Sequence, residues 1–139
     1  MASDSSSNTG ERSEFEVASD LAAHGYAVSL PFDDYRYDIV GDYEGHLLRI
    51  QVKTAHKREN QNAAYEIDVK DYTPDEVDLV AGYVAEQDAV FYESIHEAGS
   101  FASVTFTPKT TLSDHNAAKA NLPENQTFSA ASERFLDED

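Results

Sequence analysis

The chain has no cysteine among its 139 residues, which excludes disulfide staples and thiolate zinc sites. Its five histidines, at positions 24, 46, 56, 96 and 115, show no ligand spacing, which argues against a histidine metal site. No apolar run approaches the roughly 20 residues of a membrane span. The first ten residues carry neither a basic n-region nor an apolar h-region, so no signal peptide is expected. No internal repeat is present. These absences predict a soluble cytoplasmic protein without membrane contact. Basic residues are also scarce: 10 Lys and Arg stand against 27 Asp and Glu, a net charge of −17. That balance removes the usual basic-patch argument for nucleic acid.

What is present is acid spread through the whole chain rather than gathered in a tail, with core-forming residues of ordinary kind. The pattern resembles proteins of salt-loving archaea. A carboxylate surface repels itself at low salt, and molar salt shortens the screening length to about 3 Å. The acidity therefore speaks of the solvent more than of the partner.

The length suits one domain. Residues 1–9 are polar and Ser-rich and read as a disordered tail. Residues 10–24 have helical periodicity, with Phe15, Ala18, Leu21 and Ala22 on one stripe, acids in the first turn, and Gly25 as C-cap. Strands are expected at 26–30, 37–40, 48–53, 63–70, 77–85, 89–92 and 101–107. A helical turn is expected at 95–100, a short helix from Ser113 to about Leu122, and a loose acidic end from Pro123. The organisation is thus a tail at 1–9, an α/β domain at 10–108, and an extension at 109–139.

The chemistry concentrates in the hairpin. Suppose it turns on Glu44-Gly45. Ile39 then lies opposite Ile50, Gly41 opposite Leu48 and Tyr37 opposite Val52, which makes one face apolar. Asp38 lies opposite Gln51 and Arg36 opposite Lys53, which gathers a carboxylate, an amide and an ammonium on the other face. Such a set holds a hard cation and a phosphate. It is equally the composition of a solvated polar face. Glu14 borders the apolar seam of the helix, and its plain reading is service to the helix dipole. Thr54 to Arg58 is the one local basic concentration, either a solvated strand end or a phosphate contact.

Helix, strand, then a hairpin with Asp and Gln-Val-Lys is the order of the PD-(D/E)xK nuclease superfamily. Glu14, His24-Gly25-Tyr26-Ala27-Val28, Tyr37-Asp38-Ile39-Val40, Gln51-Val52-Lys53-Thr54 and the strand pair at 78–84 and 89–92 carry the likeness. The stretch from Gly10 to Tyr92 resembles a small endonuclease family close to Holliday-junction resolvases. The resemblance implies an α/β restriction-endonuclease-like core: an N-terminal helix packed on a central mixed β-sheet, with a short C-terminal helix. It implies a DNA endonuclease dependent on Mg²⁺ or Mn²⁺, with branched DNA as a candidate substrate and a homodimer as a candidate assembly. Asp38, Gln51 and Glu14 would hold the metal, and Lys53 would stand by the attacking water and the scissile phosphate. Arg36, Arg49, Lys57 and Arg58 would contact nucleic acid. Gln51 departs from the usual acid and removes one negative charge. A nuclease fold with weakened catalysis, acting as a binding module, is therefore the alternative.

Overall fold

The computed structural model describes residues 5–33, 35–58, 64–95, 103–107 and 126–136. Helix α1 runs Ser5–Ala23, and strand β1 is Ala27–Ser29. The hairpin is β2, Ile39–Tyr43, and β3, His46–Thr54. Then come β4, His56–Lys57, β5, Tyr65–Asp68, β6, Leu79–Val84, β7, Ala89–Ser94, and β8, Ser103–Phe106. Helix α2 is Phe128–Ser132. The expected helical turn at 95–100, apart from Ile95, and the expected helix at 113–122 lie outside the described residues.

The strands form a five-stranded sheet, β1-β2-β3-β6-β7, and a three-stranded sheet, β4-β5-β8. β3 and β6 run parallel, and every other pair is antiparallel. From Ile39 onward the hairpin has the expected register: Ile39 pairs with Ile50, Gly41 with Leu48 and Tyr43 with His46. Tyr37, expected opposite Val52 on the apolar face, packs instead against the cluster that holds Val80 and Phe91, because the pairing ends before it. A type I′ two-residue turn needs positive φ at both centres, and Glu44 at 52° and Gly45 at 90° supply it. Asp42 holds the turn by accepting from the Gly45 amide at 2.8 Å.

Period-two alternation sorts the side chains into two cores. On one face Val17 and Leu21 of α1 join Ile39, Ile50, Val52, Leu79 and Ala81. On the other, Val80 and Val84 join Tyr65 and Ile67 of β5, Phe91, and Val104 and Phe106 of β8. β6 is buried along its whole length, as a parallel strand covered on both sides should be. Gly82 is required there, because a Cβ would lie 2.4 Å from the Phe91 ring, which stacks on Phe106 at 5.0 Å.

Three expectations are corrected. α1 begins at Ser5, so part of the expected tail is helical and no acid lies in the first turn. Extending a formed helix is cheap even through polar residues. Its buried seam is Ser13, Val17 and Leu21, while Phe15 is exposed. Counting apolar residues alone missed Ser13, whose hydroxyl meets Thr54 Oγ1 at 2.6 Å. The stretch after Pro123 is not loose where it is described. Thr127 caps α2, and Phe128 packs edge-on against Tyr26, Tyr43 and Tyr92. Phe128, Ala131 and Phe135 enter the same core as α1, at a helical spacing that the surrounding polar residues obscured.

Candidate active site

Asp38 precedes β2, and its amide donates to the Ile50 carbonyl at 2.9 Å, one residue short of the hairpin register, so the regular pairing ends at Ile39. Its Oδ2 accepts from the Val52 amide at 2.9 Å and from Gln51 Nε2 at 3.0 Å. The expected meeting of Asp38 and Gln51 across the hairpin is therefore present. The backbone contact fixes the carboxylate to the strand and not only to a mobile side chain.

Glu14 arrives from α1. The Ser13–Thr54 hydroxyl pair ties the preceding residue to the end of β3, so the helix is pinned beside the strand that carries Gln51 and Lys53. Glu14 and Asp38 line one cleft of about 380 Å³, together with Leu30, Phe32, Tyr35 and Tyr37. Sequence reasoning named the two carboxylates but not this wall, nor the serine that sets the helix.

Lys53 lies two residues beyond Gln51 on the same strand, so both point to one face. It is half-buried, and its ammonium sits 5.5 Å from the centre of the Tyr72 ring. Among the described residues no carboxylate pairs with it at ion-pair distance.

The four residues expected to touch nucleic acid fare differently. Arg49 is committed to the fold: Nε and Nη2 donate to the two oxygens of Asp78 at 3.0 and 2.9 Å. Its remaining donors reach the Asp75 and Pro74 carbonyls at 2.7 and 3.0 Å. The hydrogen bonds to Asp78, foremost among the causes, raise the guanidinium pKa further. Arg36 pairs with Glu76 at 3.9 Å and lies over the Tyr35 ring. Arg58 pairs with Glu66 at 4.0 Å. Lys57 is exposed on β4 with no ion-pair partner among the described residues.

The donor set suits a hard cation. It offers two carboxylates and one amide, all oxygen donors once the amide turns its carbonyl inward. Among the described residues no three His, Cys, Asp or Glu gather into a complete cage.

A second cavity, of about 450 Å³, opens between α1, β7 and α2. There the Tyr92 hydroxyl donates to Asp20 at 2.8 Å, and burial, then Asp20, pushes its pKa up. The sequence reading did not anticipate it, because α2 was not expected to be there.

A helix glutamate, a hairpin aspartate and a Gln-x-Lys strand, packed on a mixed sheet, define a restriction-endonuclease-like fold. The family model for PD-(D/E)XK endonucleases matches residues 5–122, and the chain belongs to that family. Among solved structures it is similar to a bacterial homing endonuclease, I-Ssp6803I, at 22% identity and a TM-score of 0.68. The match covers 79% of this chain and 83% of that one, and it shows a shared fold. No curated protein matches the sequence at a significant level. Among the described residues no helix is long and apolar enough to cross a membrane.

Proposed function

We propose that the chain is a divalent-cation-dependent DNA endonuclease whose site is built from Glu14, Asp38, Gln51 and Lys53. The observation that supports this most is the Asp38–Gln51 contact beside a cleft shared with Glu14, with Lys53 on the same strand face as Gln51. In the reaction water adds to phosphorus and one P–O ester bond breaks, leaving a phosphate end and a hydroxyl end. Asp38 and Glu14 would hold Mg²⁺ or Mn²⁺, and Gln51 would contribute its carbonyl after a half-turn of the amide. The bound cation supplies Lewis-acid stabilisation of the developing charge. Lys53, which no carboxylate among the described residues neutralises, stabilises the phosphoryl oxygens and orients the water.

The finer reading is a cytoplasmic enzyme of a salt-loving archaeon that acts on branched or junction DNA as a homodimer. An acid-rich surface suits that solvent. In domain terms, residues 10–108 carry the proposed site, and 109–139 form an extension whose described part packs on the same core. Gln51 supports one further reading, a binding module with weakened catalysis, because the amide lowers the charge available to the cation.

The test is a nicking assay on junction and duplex DNA at high salt with Mg²⁺ or Mn²⁺, with Lys53→Ala as control. Cleavage by the native chain, lost in the variant, is expected. DNA binding without cleavage of any form would select the binding module.

A further inference from the structure

Among the described residues, three of the five exposed large apolar side chains line one cleft. Leu30, Phe32 and Tyr35 are 64, 103 and 59% exposed, while Phe15 stands on α1 and Leu47 on the hairpin. Leu30, Phe32 and Tyr35 line the cleft that holds Glu14 and Asp38. Phe15 follows Glu14 directly on α1. Burial is what a phenylalanine contributes to stability, so Phe32 contributes nothing to this fold. Tyr35 is braced edge-on by Tyr37 at 5.2 Å and covered by Arg36 at 5.6 Å. At full exposure the Phe32 ring offers both faces to solvent.

Charge narrows the occupant. Affinity for nucleic acid usually comes from phosphate contacts by Lys and Arg. This chain carries a net charge of −17, and its cleft includes Glu14, Asp33 and Asp38. Arg36, Arg49 and Arg58 already face carboxylates. A polyanion brought to this cleft needs a non-ionic hold. Bases provide one, since stacking on an aromatic ring tolerates any sequence. Within a duplex those faces are covered by neighbouring bases, so a stacking side chain must either prise a base step apart or take a nucleotide already out of the stack, and the second costs less.

We propose that Phe32, flanked by Leu30 and Tyr35, stacks on an unpaired base next to the phosphate that a cation on Glu14 and Asp38 would hold. The substrate class is then DNA with a nucleotide out of the helix: a bulge, a flap or a branch point. This rests on the endonuclease reading for its phosphate site.

The test is a binding cycle on the full chain with Lys53→Ala, so that no DNA is cut, in Mg²⁺. The probes are a duplex with one bulged nucleotide, the same duplex with that nucleotide abasic, and the fully paired duplex. On the normal bulge Phe32→Ala weakens binding roughly tenfold, about one lost stack. Removing the base costs the same once, and the two losses do not add. Phe32→Tyr retains the affinity, and Leu47→Ser leaves it unchanged. With one or two phosphate contacts, a fivefold rise in salt costs only roughly four- to twentyfold. Equal loss on the paired duplex, additive losses, or no binding to any probe overturns the inference. So does a change in sedimentation mass on Phe32→Ala with DNA binding unaltered, which would make the loop a contact between copies. Cleavage by the native chain is scored separately. If it cuts DNA and Phe32→Ala binds the bulge normally, the stacking inference falls and the nuclease stands. If it cuts nothing, the nuclease falls and the cycle still decides stacking.

Discussion

Arg49 and Lys53 lie four residues apart on one face of one strand, and the fold treats them in opposite ways. Arg49 makes four side-chain hydrogen bonds to residues 74–78, and its own amide donates to Asp78 at 2.8 Å. Asp78 in turn donates its amide to the Arg49 carbonyl at 2.9 Å, just before β6 begins. That clamp sets the register between β3 and the parallel strand β6. Lys53 opposes Gly82 in the same pairing and lies over the Tyr72 ring, with no carboxylate at ion-pair distance among the described residues. A cation with its charge spent on a carboxylate holds structure, whereas a half-buried one left without a carboxylate is free to meet an anionic substrate. The pair teaches that basic residue type alone does not separate the two roles on this strand. The partner on the next element does.

Substitutions can sharpen that contrast. Lys53→Ala should lower kcat for DNA cleavage about 10²- to 10³-fold, the loss expected of one preorganised charge donor. Its thermal midpoint should stay within a few degrees of the native chain, and a large drop would place Lys53 with Arg49. Arg49→Ala should do the reverse, destabilising by about 2 kcal/mol because Asp78 is left partly buried and unpaired. Denaturant unfolding measures that loss, and cleavage under fully folded conditions should change little. Gln51→Glu should tighten Mg²⁺ binding roughly tenfold by adding a negative ligand beside Asp38. Calorimetry showing unchanged or weaker binding would remove Gln51 from the site. Tyr72→Ala should have the smallest effect. It removes a cation–π contact of about 0.5–1 kcal/mol, so kcat should move only a few-fold as Lys53 loses its rest.

Much of this was legible in the residues. The hairpin register followed from a single requirement, that Ile39, Ile50, Leu48 and Val52 share a dry face, and the structure pairs them accordingly. Asp38 and Gln51 met as that register implied, although the regular pairing stops at Ile39. What escaped had a different physical origin. Arg49 looked like a nucleic-acid contact because its partner, Asp78, lies 29 residues away, and no local pattern announces a clamp across a parallel strand. The buried seam of α1 was misjudged because it depends on Ser13, a polar residue satisfied by Thr54. α2 was hidden because Phe128, Ala131 and Phe135 are spaced among polar and acidic neighbours. The aromatic wall of the cleft was unreadable because exposure is a property of the fold, not of the side chain.

The central claim is that Glu14, Asp38 and Gln51 hold one divalent ion, with Lys53 placed for the phosphate beside it. Paramagnetic Mn²⁺ titrated into isotope-labelled protein tests it most directly. Amide signals of residues 14, 38 and 51–53 should broaden first, those of α2 should persist, and Asp38→Ala should abolish the effect. Broadening centred elsewhere, or left intact by Asp38→Ala, would contradict the account.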